Sequence, residues 1–294
     1  MIVNALKTRI SLIFLCLLVA GISFTGCKKD DDIPVVIPPV PAVRPDINFY
    51  GLTDDNRILK YNAKTAEAST ATIIVTGLQT SEKLLSIDFR PATGQLYALG
   101  NSSRIYTINL SSGVATAIGA TGFTPAISGT IANIDFNPTV DRIRLVTSTG
   151  QNLRLNPETG LVAATDLSIN GGASPSITSI AYTNNFAGTA TTELFDIDVT
   201  SKKLYKQIPP NDGTLVEVGS LGVTFTGRGG FDINADNTVA LATFNSGTIT
   251  KLYSVNLTTA ATTFLANFNI NLIDIAVFTQ PVAYTVSTSG MFQV

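Results

Sequence analysis

The chain has 294 residues, of which 45% are hydrophobic and 14% are charged, and its formal net charge is -2. This composition is typical of a folded globular protein and excludes a polybasic nucleic-acid binder, so no nucleic-acid partner is expected. The absence of His and Trp excludes Ser-His-Asp and Cys-His enzymes and removes the commonest zinc ligand. Low charge together with many Thr, Ser, Asn, Val and Ile residues predicts an all-β protein.

Residues 1–26 have the features of a lipoprotein signal peptide. Lys7 and Arg9 precede an apolar run at residues 10–24, which is shorter than the about 20 residues that a membrane-spanning helix needs. Small residues then stand before Cys27, as in the bacterial lipobox, where this Cys becomes the acylated first residue of the mature chain. Cys16 lies inside the removed segment, so Cys27 has no disulfide partner. We predict acylation at Cys27; the alternatives are an uncleaved membrane anchor and an ordinary thiol.

Residues 27–46 are predicted to form the lipid anchor and a proline-rich tether. Three aspartates occupy residues 30–32, and five prolines follow them, namely Pro34, Pro38, Pro39, Pro41 and Pro45. Proline-rich chain favours polyproline II at about 3.1 Å per residue, enough to hold a domain roughly 60 Å from the membrane. The acidic run resembles tags that send lipoproteins to the cell surface in some Gram-negative bacteria, or it is a solvated charge cluster. We therefore expect an outer-membrane lipoprotein facing the periplasm or the cell surface, held by its acyl chains.

From residue 47 onward the sequence repeats itself. The segment Ile87-Asp88-Phe89 aligns with Ile134-Asp135-Phe136 at a spacing of 47, and the alignment continues without a gap. The first complete unit predicts strands at residues 84–89, 95–99, 104–110 and 114–118, separated by turns rich in Pro, Gly, Asn and Ser. Two further units are anchored at residues 180–182 and 231–233.

The two ends of the repeat region complete each other. Residues 273–275 form a predicted first strand with no successor, whereas residues 49–52, 57–62 and 72–75 are second, third and fourth strands with no first. Five four-stranded units, the last closed by both ends of the chain, predict a five-bladed β-propeller over residues 47–279. The alternative is a six-bladed propeller, for which no further anchor segment is found. Residues 280–294 form a C-terminal tail without an assigned role.

Four segments resemble a known bacterial family, the domain of unknown function 4394. They are residues 86–97, 137–144, 150–157 and 182–185. This resemblance covers most of residues 47–279 and implies a secreted or surface domain. It transfers no catalytic residues, since none are established for that family.

An aspartate recurs in the first strand of four units, at Asp88, Asp135, Asp232 and Asp274, and Ala181 replaces it in the other. First strands line the central channel of a propeller, so these carboxylates could hold Ca²⁺, as happens in propeller lactonases and esterases. The favoured interpretation is that each Asp accepts hydrogen bonds from the backbone amides of the neighbouring blade. No metal or other cofactor is therefore expected, with Ca²⁺ as the alternative.

Three arginines in the second complete unit, Arg142, Arg144 and Arg154, are the candidate ligand-binding residues. A short loop at residues 148–150 pairs the flanking strands in a register that places Arg144 opposite Arg154. Two adjacent guanidinium groups repel each other unless an anion lies between them. The expected anion is a protein carboxylate such as Asp135 or Asp141, and the alternative is a bound ligand.

These features predict a lipid-anchored propeller of the cell envelope that has no catalytic residues and binds a protein, a glycan or a small ligand. The competing hypothesis is a metal-dependent propeller hydrolase or lactonase that uses the channel aspartates. Since one fold serves many functions, the sequence does not choose the ligand.

Overall fold

The computed structural model describes residues 43–280 and, in addition, the backbone of residues 285–286 and 292–293. The predicted signal peptide, the predicted acylation site Cys27 and most of the tether lie outside the described residues, as does most of the tail. Within the described part of the chain, no helix is long and apolar enough to cross a membrane.

Twenty strands form five antiparallel four-stranded sheets, numbered here as blades 1 to 5. Blade 1 contains β1 (Asn48–Thr53), β2 (Arg57–Asn62), β3 (Ala71–Ile74) and the late strand β20 (Leu272–Val277). Blade 2 contains β4 (Leu84–Phe89), β5 (Leu96–Gly100), β6 (Arg104–Ile108) and β7 (Ala115–Ile118). Blade 3 contains β8 (Ala132–Asn137), β9 (Arg142–Thr147), β10 (Asn152–Leu155) and β11 (Val162–Thr165). Blade 4 contains β12 (Ile177–Tyr182), β13 (Leu194–Asp198), β14 (Lys203–Gln207) and β15 (Leu215–Ser220). Blade 5 contains β16 (Phe231–Ile233), β17 (Ala240–Ser246), β18 (Ile249–Val255) and β19 (Thr262–Phe268).

Three short elements complete the described structure. Two single-turn 3-10 helices lie at Ala63–Thr65 and Pro210–Asp212. A two-stranded sheet pairs β21 (Thr285–Val286) with β22 (Phe292–Gln293).

The first strands of the five blades form the inner ring. Strand β4 contacts β8, β8 contacts β12, β12 contacts β16, β16 contacts β20, and β20 returns to β4. The predicted five-bladed propeller is therefore confirmed, and the six-bladed alternative is wrong.

Blade 1 is closed by strands from opposite ends of the chain. Strand β20 pairs antiparallel with β1, with Gly51 opposite Ile275 and Tyr50 opposite Ala276. This pairing removes the open sheet edge that the ring would otherwise expose. The predicted sharing of the last blade by both ends is thus confirmed.

A cluster of buried apolar side chains fills each of the five interfaces between blades. The interface between blades 3 and 4 contains seven buried apolar residues, whereas each of the others contains twelve to fourteen. Side chains such as Arg144 and Asn152 occupy part of this less apolar interface, where both are at most 2% exposed. The propeller therefore has one polar interface among four apolar ones.

Candidate functional site

Each of the four inner-strand aspartates links its blade to the next one. All four are at most 4% exposed, and each carboxylate accepts a hydrogen bond from a backbone amide on the following inner strand. The bonds run from Phe136 to Asp88 (2.7 Å), from Tyr182 to Asp135 (2.9 Å), from Val277 to Asp232 (2.5 Å) and from Ile87 to Asp274 (2.9 Å). This is the arrangement that the hydrogen-bonding interpretation of the repeated Asp predicts.

Blade 4, where Ala181 replaces the Asp, uses a different contact. The Ser179 hydroxyl donates to the Gly229 carbonyl oxygen at 2.8 Å and so joins blade 4 to blade 5. Next to it, the backbone at Gly230 lies so close to β20 that an added Cβ would collide with the Ile275 amide nitrogen. The Ser179 hydroxyl therefore provides the contact between blades 4 and 5 that a carboxylate provides elsewhere.

The carboxylates also converge on the channel axis. One oxygen each from Asp88, Asp135 and Asp232 lies within 4.8 Å of the other two. Burial, followed by repulsion between the carboxylates, raises the pKa of Asp88 and Asp135 well above the usual range. Burial likewise raises the pKa of Asp232 and of Asp274 to about 7. Removing these groups from water disfavours their charged form, so these carboxyl groups hold their protons more tightly than an exposed aspartate does.

Polar side chains lie at both ends of this channel. Arg228, just before β16, donates from Nη2 to the Leu85 carbonyl oxygen, and the Asp274 charge opposes the lowering of its pKa by burial. Asn185, just after β12, donates from Nδ2 to the Thr279 hydroxyl at 3.4 Å. Because the inner strands run in the same direction, these two contacts lie at opposite ends of the channel.

The arginine cluster is held together by a carboxylate that sequence reasoning missed. Arg144 lies opposite Arg154 on β9 and β10, in the predicted register. Between them is Asp166, whose Oδ2 accepts from Arg144 Nη1 at 2.5 Å and from Arg154 Nε at 2.9 Å. The expected internal salt bridge is present, but its carboxylate belongs to Asp166, and the suggested residues Asp135 and Asp141 are wrong.

The physical reason for this correction lies in where those two side chains point. Asp135 faces the channel and accepts the Tyr182 amide, while Asp141 pairs with Arg90 across the interface between blades 2 and 3. Arg142 stands apart from the other two arginines, since it donates to the carbonyl oxygens of residues 140 and 141. Extending the predicted hairpin register by one strand would have found Asp166, because its amide bonds the Asn152 carbonyl opposite.

Arg144 is the most deeply buried cation of the described structure, with 2% of its surface exposed. Its remaining donors reach Asn152 Oδ1 at 2.9 Å, Asn211 Oδ1 at 2.8 Å and the Tyr182 hydroxyl at 3.2 Å. Asn211 belongs to the 3-10 helix of blade 4, so this guanidinium joins two blades. A buried charge is tolerated only with such complete pairing.

A cleft of about 410 Å³ opens above this network, between blades 3 and 4. Arg144, Arg154 and Tyr182 form its floor, and Thr139, Thr191 and Asn211 lie among its walls. The Arg154 side chain is 35% exposed. Two guanidinium groups share the single Asp166 carboxylate, which leaves a net positive charge at the floor.

Two further polar side chains are buried in the interface beneath the cleft. Asp196 is fully buried, and neither of its oxygens has a hydrogen-bond partner among the described residues. Burial raises its pKa well above the usual range, while the Arg144 charge opposes that shift. Gln207 Oε1 likewise has no partner in the described part of the chain. Buried polar atoms without partners in a protein indicate a bound water or ligand, or a functional group.

Comparison with protein families matches residues 57–276 to the model for "Domain of unknown function (DUF4394)". The chain belongs to this family. The segments that resemble DUF4394 at residues 137–144, 150–157 and 182–185 each contribute side chains to the cleft between blades 3 and 4.

Other comparisons are less informative for this DUF4394 protein. No protein of curated function matches the chain. Among solved structures, a chain of the crystal structure of a nidogen/laminin complex is similar over 80% of this chain and 99% of that one, with 12% identity and a TM-score of 0.47.

Proposed function

We propose that this DUF4394 protein is a non-catalytic, lipid-anchored binding module of the cell envelope, and that its ligand occupies the cleft between blades 3 and 4. The observation that carries the proposal is the construction of this cleft. Its floor is a hydrogen-bonded guanidinium network, and its walls present hydroxyl and amide groups from both blades. Sites for small ligands combine such a preformed concavity with a few fixed polar groups.

The channel aspartates support a binding role over a hydrolytic one. Their oxygens accept hydrogen bonds from backbone amides, and one polar contact lies at each end of the channel. A hydrolase needs a reacting group that a substrate can approach. These four carboxylates are at most 4% exposed, which leaves a substrate no access to them.

The ligand is a protein, a glycan or a small molecule of the envelope, and the lipidated Cys27 attaches the module to the outer membrane. The cleft floor favours ligands with hydrogen-bond acceptors, because the partly exposed Arg154 guanidinium lies there.

The proposal is tested by measuring binding of the purified protein to a panel of glycans and cell-envelope fractions. Ala190→Tyr is the test variant, because Ala190 lines the cleft and is exposed, so the added ring fills the cavity without entering the core. Ala71→Tyr, on the exposed edge strand of blade 1, is the matched control. Binding that Ala190→Tyr abolishes and Ala71→Tyr retains supports the proposal. Equal binding by both variants would place the ligand elsewhere, and a panel without any binding would contradict the binding role.

A further inference from the structure

The centre of the propeller brings together oxygen atoms from several blades. Oxygens of Asp88, Asp135 and Asp232 lie within 4.8 Å of one another, and Asp274 stands on the adjacent inner strand β20. Calcium binds carboxylate and amide oxygens at roughly 2.3 to 2.6 Å, so two ligands on opposite sides of the ion are about 4.6 to 5.2 Å apart. The three oxygens therefore fall within the span of one calcium coordination sphere.

The backbone fixes these carboxylates before any ion arrives. Asp88, for example, accepts amides from both Phe89 and Phe136, at 2.7 Å each. A carboxylate oxygen has more than one lone pair, so an oxygen that accepts one amide can still coordinate a cation. Amide bonds that orient the ligands reduce the ordering that cation binding would otherwise require.

Asn133 is an independent sign that the channel binds a ligand. It is 2% exposed, and neither its Oδ1 nor its Nδ2 has a partner among the described residues. Because side chains alternate along a strand, Asn133 lies on the same side of β8 as Asp135, two residues away. A buried amide without partners is unfavourable, which indicates that something else satisfies it.

The sequence repeat indicates which surroundings the Asn133 side chain shares. At a spacing of 47, Asn133 corresponds to Ser86, whose hydroxyl donates to Asp274 Oδ2 at 2.5 Å and accepts the Ile134 amide at 3.0 Å. Ser86 thus faces the channel and contacts both neighbouring blades. Its counterpart Asn133 brings an unsatisfied carbonyl oxygen, a ligand type that calcium accepts, to the channel layer of Ser86 and Asp274, two residues along β8 from Asp135.

We infer that the propeller channel binds one Ca²⁺ ion through Asp88, Asp135 and Asp232, with Asn133 as an additional oxygen ligand. A divalent ion among these carboxylates joins blades 2, 3 and 5 at the axis.

The ion has a structural role. A catalytic metal keeps a coordination position open to substrate, whereas a structural metal is enclosed by protein ligands. Asp88, Asp135 and Asp232 are at most 2% exposed, so an ion among them is enclosed by protein. This inference does not depend on the proposed ligand cleft, which lies between blades 3 and 4.

The test compares melting of purified, chelator-treated protein in CaCl₂ and in NaCl of equal ionic strength, together with calorimetric titration of Ca²⁺. One ion should bind per chain, and Tm should rise by about 5 to 10 °C when Ca²⁺ reaches roughly 100 times its dissociation constant. Asp135→Asn and Asp232→Asn keep an oxygen that accepts the interblade amide but remove a charged ligand. Both variants should lose most of the calcium-dependent rise in Tm.

Asp236→Asn is the matched control, because Asp236 is exposed in the turn after β16 and should leave the calcium response unchanged. A wild-type protein that neither binds Ca²⁺ in the titration nor melts later at about 10 mM Ca²⁺, a weak limit for extracellular calcium modules, would overturn the inference. The same holds if Asp135→Asn and Asp232→Asn retain the full calcium response. Should a variant fail to fold, the titration of wild type still decides the question.

Discussion

The channel aspartates combine two opposing electrostatic effects in the same side chains. Backbone amides on the neighbouring strand favour the ionised carboxylate, whereas burial and mutual repulsion favour the protonated form. For Asp232 and Asp274 the balance raises the pKa to about 7, with burial as the largest cause. The centre of the molecule therefore carries groups that titrate near neutral pH although the chain contains no His.

This balance predicts an unusual dependence of stability on pH in metal-free protein. In the unfolded chain an aspartate titrates near about 3.9, so the folded state binds the protons of Asp232 and Asp274 more tightly. Their contribution to the free energy of unfolding is complete below about pH 4 and is lost as the pH rises through about 7. We expect Tm, measured with chelator present, to fall between about pH 5 and pH 8, and Asp274→Asn to show a smaller fall. A wild-type Tm that rises over this range would contradict the assignment.

The two arginines of the cleft floor should differ in their effect on stability. Arg144→Ala leaves the buried Asn152, Asn211 and Tyr182 polar groups without their partner, and loss of one member of a buried charged network costs about 3 to 5 kcal/mol. Arg154→Ala leaves the bond between Arg144 and Asp166 in place, and its own side chain is 35% exposed. We expect a loss of about 1 kcal/mol for it. Urea denaturation measures the free energy of unfolding of both variants. Equal losses would contradict a larger stabilisation by the buried network around Arg144.

Blade 5 approaches the inner strand of blade 1 closely at Gly230. A Cβ on Gly230 would collide with the backbone of β20, whereas a Cβ on Gly227, three residues earlier, would only make an ordinary contact with Asn245. Backbone cannot yield as a side chain does, so Gly230→Ala should destabilise the propeller by about 1 to 3 kcal/mol. Gly227→Ala, the control, should change the unfolding free energy by less than about 0.5 kcal/mol. Equal stability of the two variants would contradict the close approach of these strands.

Strand positions were predictable from the sequence because equivalent residues recur in each unit, and blades 2 and 3 align without a gap. The predicted first strand at residues 84–89 matches β4, while the third strand, expected at residues 104–110, ends at Ile108. There the Asn109 side chain accepts the amides of Ser111 and Ser112 and begins the turn. Side-chain bonds of this kind end strands earlier than the hydrophobic pattern indicates.

The candidate site was predictable only where it depends on local pairing. Register within one hairpin places Arg144 opposite Arg154, and the repeat identifies the channel aspartates. Asn211, by contrast, reaches Arg144 from another blade across 67 residues. Such contacts depend on how the blades pack, which strand periodicity does not encode.

At the scale of the whole molecule, the propeller is proposed to be held at the membrane by one modified residue. Cys27→Ser should release the protein into the periplasm or the medium, because no other membrane-seeking element is expected in the tether. Labelling of cells with a radioactive fatty acid, followed by fractionation, measures this. Wild-type protein without label, or a serine variant that remains in the membrane fraction, would contradict the lipid anchor.

The cleft, the channel and the interblade bonds all require a ring closed by the two ends of the chain. Truncation after Asn267 removes β20, and with it Ile273 and Ile275 from the core. Truncation after Gln280 retains all twenty blade strands and is the matched control.

Thermal melting of these two truncated proteins beside the full-length chain tests the closed ring most directly. Core losses of about 2 to 5 kcal/mol for each large side chain would remove most of a typical stability of about 5 to 15 kcal/mol. We therefore expect the chain ending at Asn267 to melt far below the other two or to remain unfolded, and the chain ending at Gln280 to melt close to full length. Equal melting temperatures for the full-length and Asn267-terminated chains would show that the two ends do not share a blade.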